Sequence, residues 1–171
     1  HPEYYRKLRD YYFAVIKRDI KQTRYLLFIT GECNLGCPIC FYGGKRFGGL
    51  SASEVKDLMS KNRGKEMIVF GKEPTCHEKL TEIMRLLSSR QNSISLYTNG
   101  IRICDRAYLR ELKKSHLDKI YLQFDGFRES TYSTLRKSEM LGIKAEALDN
   151  LRKENIATVL NVALVEENED Q

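Results

Sequence analysis

The sequence predicts an α/β fold in which parallel strands alternate with helices in one sheet. Three observations carry that expectation. Short apolar runs recur along the chain, each separated from the next by enough residues to hold a helix. The intervening segments place apolar residues at helical spacing. Polar or glycine-bearing residues follow or end each apolar run, as at the C-terminal strand ends where parallel α/β proteins build their sites. At 171 residues the chain fits one domain with a core of ordinary size.

Residues 3–21 read as an amphipathic helix, with Tyr5, Leu8, Tyr12, Val15 and Ile16 inward. Residues 1–22 are thus expected to form an N-terminal helical extension. Arg24 to Thr30 is a nearly continuous apolar run, expected as a first strand buried on both faces. A cysteine-rich loop follows and continues through Gly43, Gly44, Gly48 and Gly49. Ser51 or Ser53 can cap a helix ending near Asn62. Glu66 to Phe70 is the second strand, and His77 to Ser89 a helix with Leu80, Ile83, Met84 and Leu87 on one face. Ser93 to Thr98 is the third strand, followed by a helix from Asp105 to about Ser115 carrying Leu109 and Leu112. Asp118 to Phe124 is the fourth. Ser130 to Arg136 starts a short helix, and Lys144 to Asn155 a firmer one with Ala147, Leu148 and Leu151 inward. Ala157 to Val165 is the fifth strand. Such alternation means stacked βαβ units with right-handed crossovers and no second domain.

The composition is 42% hydrophobic and 30% charged, that of a globular chain rather than a disordered or membrane-spanning one. His1 to Tyr5 show neither an initiator Met nor the apolar core of a signal peptide, so the chain is expected to begin inside a longer one. Five cysteines, three of them crowded together, argue against a disulfide framework and for a reducing, cytoplasmic setting. The net charge of +6 raises nucleic acid as a partner, but the basic residues are scattered among acids. Only Arg6, Lys7 and Arg9 beside Tyr4, Tyr5, Tyr11 and Tyr12 approach a basic-aromatic face, and the solvated side of an amphipathic helix explains them.

The chemistry concentrates in Cys33-Asn34-Leu35-Gly36-Cys37-Pro38-Ile39-Cys40-Phe41. Thiolates are soft ligands suited to zinc or iron–sulfur centres. A structural zinc site is normally closed by four protein ligands, whereas a 4Fe-4S cluster on three cysteines leaves one iron open to a substrate or cofactor. The competing reading is a zinc knuckle or buried free thiols, for which Cys76, His77 and Cys104 are the remaining candidates.

The residues at the strand ends extend the pattern. After the second strand come Gly71, Lys72, Glu73, Pro74 and Thr75; the third ends in Thr98, Asn99 and Gly100; the fourth carries Gln123, Phe124, Asp125 and Gly126. Asn161 interrupts the apolar fifth strand. Singly these are turn residues or satisfied polar groups. Together, behind Cys33-x3-Cys37-x2-Cys40, they resemble the core domain of the radical S-adenosylmethionine (radical SAM) enzymes along nearly the whole chain. The resemblance implies a partial (β/α) barrel, cut after about five strands, over residues 1–171.

It also implies roles. Cys33, Cys37 and Cys40 would ligate three irons of a 4Fe-4S cluster, and the amine and carboxylate of SAM the fourth. Gly71 to Pro74 resembles the family's Gly-Gly-Glu-Pro segment, with Glu73 the acid facing the SAM ammonium. Asp125 and Asn161 match positions that bind ribose or the methionine carboxylate. Ile39 stands where an apolar residue meets adenine, and Thr98, Asn99 and Gln123 line the same mouth. Lys72 departs from the family's second glycine. If that position needs positive φ, the lysine costs about 1–2 kcal/mol.

Cys-Asn-Leu-x-Cys-Pro-x-Cys-Phe, Gly-x-Glu-Pro-Thr-x-His, Tyr-Thr-Asn-Gly-Ile-Arg, Tyr-Leu-Gln-Phe-Asp-Gly-Phe and Thr-Tyr-x-x-Leu-Arg together resemble the branch of tetraether-lipid synthases and pterin-ring methylase-like proteins. That branch implies reductive cleavage of SAM to a 5′-deoxyadenosyl radical. It implies alkylation or C–C coupling on a lipid chain or small-molecule ring, and an external electron donor of ferredoxin or flavodoxin type. The alternatives are a zinc-binding interaction domain, and a degenerate radical SAM fold that holds a cluster without cleaving SAM.

Overall fold

The computed structural model describes residues 24–43, 48–60 and 63–171. The helix expected over residues 3–21 and part of the Gly43–Gly49 loop lie outside the described residues. β1 (Arg24–Phe28), β2 (Glu66–Phe70), β3 (Ser93–Thr98), β4 (Lys119–Gln123) and β5 (Ala157–Asn161) form one parallel sheet in the order β1-β2-β3-β4-β5. Between and beside them run α1 (Ala52–Ser60), α2 (Leu80–Ser88), α3 (Arg106–Lys114), α4 (Glu129–Arg136) and α5 (Leu141–Lys153). Sequential strand order winds the chain one way only, so the helices gather on one face and all strand C-termini point to one rim.

Alternation along each strand sorts the two faces. Leu27, Met67, Val69, Ile94, Leu96, Ile120 and Leu122 turn toward the helices and form one core with Val55, Ile83, Met84, Leu87, Leu109, Leu112 and Leu151. Burying each of these aliphatic side chains contributes roughly 1.5–3 kcal/mol. The alternate positions belong to the opposite face. There Phe28 meets its register partner Phe70 at 5.5 Å between ring centroids, and Tyr97 stacks on its partner Tyr121 at 4.5 Å. Among the described residues the first strand is therefore covered on one face, not both: Leu26, between Tyr25 and Leu27, is 63% exposed.

Local side-chain caps set two of the helix starts. Ser51 and Glu54 form the capping box of α1, the Ser51 N–H donating to Glu54 Oε2 (2.8 Å) and the Glu54 N–H to Ser51 Oγ (3.3 Å). Asp105 caps α3 by accepting from the Ala107 and Tyr108 N–H groups. Two starts differ from expectation. α2 begins at Leu80 rather than His77, because Pro74–Cys76 first makes a 3-10 turn that ends on an extended His77. α5 begins at Leu141 rather than Lys144, because the distant Glu129 carboxylate receives the Met140 (2.7 Å) and Leu141 (2.9 Å) N–H groups. β5 stops at Asn161, whose carbonyl accepts the Phe124 N–H in the last rung, so the run expected to reach Val165 is only partly strand. Among the described residues no helix is long and apolar enough to cross a membrane.

Candidate active site

The cysteine loop leaves β1 across the rim of strand C-termini. Two turns fold it, with the Cys40 N–H donating to the Cys37 carbonyl (3.1 Å) and the Gly43 N–H to that of Cys40 (2.9 Å). Cys33, Cys37 and Cys40 line one cavity of about 730 Å³ with Gly31, Glu32 and Lys72. The same three thiols also line an adjoining cavity of about 230 Å³. Burial pushes the Cys33 thiol up to about 11 against a backbone hydrogen bond from Leu35, with Glu73, Cys37 and Cys76 adding to the rise. Ligation must therefore displace a proton there. Among the described residues no three His, Cys, Asp or Glu side chains are gathered around a single ion. In a cluster each cysteine binds its own iron, so three thiols spread around one chamber are the donor set it requires.

The segment after β2 is packed against the segment after β1. The Lys72 N–H donates to the Thr30 carbonyl (3.0 Å) and the Glu73 N–H to that of Glu32 (2.9 Å). A Cβ at Gly71 would lie 2.5 Å from the Thr30 carbonyl oxygen, so only glycine allows this approach. Lys72 is not among the non-glycine residues with positive φ, and the strain considered for a lysine there does not arise. Its ammonium instead reaches the Gly43 carbonyl (3.3 Å), tying the two loops together.

Glu73 is the junction of the rim and is 1% exposed. Its Oε1 accepts from the Thr75 N–H (3.1 Å), Thr75 Oγ1 (2.6 Å) and Thr98 Oγ1 (2.7 Å); its Oε2 accepts from the Asn99 N–H (2.7 Å). Oε1 thus accepts three of the four bonds and Oε2 one, and Glu73 lines the smaller cavity. Asn99 carries the network onward: its Nδ2 donates to Asn34 Oδ1 (2.7 Å) and its Oδ1 accepts the Ile101 N–H (3.1 Å). Asn34, between Cys33 and Leu35, thereby pins the cysteine loop to the end of β3.

At the end of β4 the polar groups form a buried ionic array. Asp125 is held by Arg136 through two bonds, Nε to Oδ2 and Nη2 to Oδ1, both 2.6 Å, and by Gln123 Nε2. Burial opposes the Arg136 charge, but Asp125 and Cys37, each through a hydrogen bond and its charge, outweigh it and hold the guanidinium more firmly protonated than usual. Behind them Lys144 donates to the Asn99 carbonyl, the Gln123 carbonyl (2.7 Å) and Gln123 Oε1 (2.9 Å). Asn168 seals the far side, its Nδ2 donating to the Asp125 carbonyl (2.7 Å).

The smaller cavity brings together Cys33, Cys37, Ile39, Cys40, Gly71, Lys72, Glu73, Pro74, Thr98, Asn99 and Gln123. Asp125 and Asn161 are not in its lining: Asp125 lies buried behind Arg136, and Asn161 is exposed at the end of β5. Arg136, which does line it, enters the sequence reading only as the last residue of the Thr-Tyr-x-x-Leu-Arg motif, without a role, and Lys144 only as the start of a helix, because neither stands at a strand end. Arg136 is the last residue of a short helix, and the pair it makes with Asp125 gives it a place in the site. Cys76 and His77 stay outside this set. Burial and Glu73 raise the Cys76 thiol, and His77 Nδ1 accepts the Lys79 N–H (3.1 Å).

Comparison with known proteins gives concordant matches. Residues 27–171 match the family described as the Radical SAM superfamily. The chain is 36% identical over 143 residues to 7,8-dihydro-6-hydroxymethylpterin dimethyltransferase of Methanocaldococcus jannaschii, covering 78% of this chain and 28% of that protein. It is 25% identical over 149 residues to a probable GTP 3′,8-cyclase of Thermococcus kodakarensis, covering 84% of this chain and 48% of that one. Its fold is similar to that of Streptococcus suis SuiB bound to S-adenosylmethionine, with a TM-score of 0.73 at 14% identity over 96% of this chain and 40% of SuiB. The chain thus spans less than half the length of these relatives.

Proposed function

This chain belongs to the radical SAM superfamily, and from that premise we propose that it holds a 4Fe-4S cluster on Cys33, Cys37 and Cys40 and cleaves SAM reductively. The observation that carries the reading is that all three thiols and the Gly71–Pro74 segment line one cavity. When bound and reduced by one electron, the cluster and SAM supply a 5′-deoxyadenosyl radical able to take hydrogen from an unactivated C–H bond.

The chain's own residues bind and orient. Glu73 Oε2, the oxygen with the single hydrogen bond, faces the methionine ammonium in a charge-assisted contact withdrawn from water. Asn99, Thr98 and Gln123 fix the ribose side. Ile39 gives an apolar contact for adenine. Arg136 presents a cation at the edge of the same cavity, and Asp125 orients it from behind. Because Glu73, Thr98, Asn99, Gln123 and Arg136 are each held by hydrogen bonds within the protein, the nucleoside is positioned by a preformed polar frame, the condition under which proximity is most effective.

For the substrate we favour a fused heteroaromatic ring. The relatives at 36% and 25% identity are named for a pterin dimethyltransferase and a GTP cyclase. The Tyr97–Tyr121 and Phe28–Phe70 pairs lie on the sheet face opposite the helices, and Tyr97 lines the cavity. An alkyl chain of a lipid is the other class with C–H bonds of the required kind. An external ferredoxin- or flavodoxin-type donor supplies the electron, and the reducing setting of the cytoplasm suits the cluster. Anaerobic reconstitution tests the reading: about four irons and four sulfides per chain are expected, with loss of both in Cys37→Ala. A colourless protein retaining one zinc would overturn it.

A further inference from the structure

We infer that Lys144 is a positioning residue of the cofactor cavity, a buried ammonium that ties the ends of β3 and β4 together and thereby sets affinity for the adenosyl part of SAM. The inference rests on the reading that SAM occupies this cavity.

Lys144 is one of the largest fully buried side chains, an uncommon place for a lysine, and it sits in the first turn of α5 on the far side of the sheet rim. Its three protons meet three acceptors: the Asn99 carbonyl, the Gln123 carbonyl and Gln123 Oε1. Both residues line the cavity, and they stand at the ends of adjacent strands whose ladder stops at Thr98 and Leu122. Beyond that last pair no ladder bond joins the two strands. Lys144 bridges them where the sheet no longer does. Next to the bridge stands Gly100, whose φ is +88° and whose added Cβ would press on Leu122 at 2.7 Å while only touching Nζ at 3.8 Å.

The bridge depends on protonation. An ammonium has three donors, whereas the neutral amine has two, so one of the three acceptors is orphaned on deprotonation. Burial drives the Lys144 amine down to about 8, with Arg136 adding to the fall and Asp125, Glu73 and Cys37 opposing it. The groups facing it are Asp125 after β4, Arg136 and the Tyr132 ring on α4 (5.9 Å), Glu73 after β2 and Cys37 in the cysteine loop.

The test is equilibrium binding to cluster-loaded protein of 5′-methylthioadenosine, which carries adenine and ribose but lacks the titrating amine of SAM. Wild-type affinity is expected to fall about threefold or more between about pH 7 and about pH 9.5, with a midpoint near 8. Lys144→Met is expected to bind about tenfold more weakly at about pH 7 and to lose that pH dependence. Equal affinities at the lower pH, or parallel profiles, would overturn the inference. If Lys144→Met does not fold, the wild-type profile decides alone, a flat one being contrary. SAM binding with a flat methylthioadenosine profile defeats only the role of Lys144. No SAM binding at all defeats the functional reading with it.

Discussion

Asp125 and Arg136 face each other through two parallel bonds of 2.6 Å, with the Asp125 side chain wholly buried and that of Arg136 12% exposed at the cavity. The pair joins the loop after β4 to the end of α4. It converts a cation at the cavity edge into one with a fixed orientation, because a bidentate guanidinium–carboxylate contact leaves little rotational freedom.

Removing one partner of such a pair leaves the other charge buried and alone. Asp125→Ala is expected to lower stability by about 3–5 kcal/mol, and Asp125→Leu combined with Arg136→Met by distinctly less. Chemical denaturation of the single and double variants checks it. Equal losses would mean that the pair's charge compensation is not what holds this corner.

Glu73 makes a different case, since its four bonds come from neutral donors on two loops. Glu73→Gln places an NH₂ group against at least one donor and is expected to cost about 2–3 kcal/mol. SAM affinity is expected to fall more than tenfold. Thermal unfolding and SAM titration together separate the two effects.

Gly71→Ala is expected to destabilise the rim by displacing the Gly71–Pro74 segment, since its Cβ would press on the Thr30 carbonyl at 2.5 Å. A cost of about 1–3 kcal/mol is expected. Native-like stability in Gly71→Ala, by denaturant unfolding, would show that the two loops can separate freely.

The pH dependence of stability has a definite sign at Lys144. Its folded amine titrates near 8, below the ordinary lysine value of 10.5, so the unfolded chain binds the proton more tightly. Burying the ammonium therefore costs stability fully below about pH 8, roughly 3 kcal/mol, and the cost is relieved as pH rises toward 10.5. Relative to Lys144→Met, the wild-type protein should gain stability across that window. Parallel stability curves for the two proteins would contradict the burial of the charge.

The sheet, its parallel sense and the position of the site at the strand ends were legible in the sequence, because apolar runs, helical periodicity and the cysteine spacing are local signals. The start of α5 was not, since its cap is Glu129, twelve residues before Leu141. One-sided burial of β1 was not either, because a continuous apolar run reads the same whether one face or two are covered. Within the site, Cys33, Cys37, Cys40 and Glu73 announce themselves by motif. The roles of Arg136, present only as the end of a motif, and of Lys144 emerge when α4 and α5 fold back onto the rim, and Asp125, expected to face the ligand, also pairs with Arg136. Long-range ion pairs leave no periodic trace in a sequence.

The most direct test of the account is an assay for 5′-deoxyadenosine after anaerobic reconstitution with iron and sulfide and reduction in the presence of SAM. The account predicts a brown protein that forms 5′-deoxyadenosine and methionine, and a Cys37→Ala variant that forms neither. A wild-type protein that carries the cluster yet releases no 5′-deoxyadenosine, or a variant that still releases it, would contradict the assignment of this cavity to SAM cleavage.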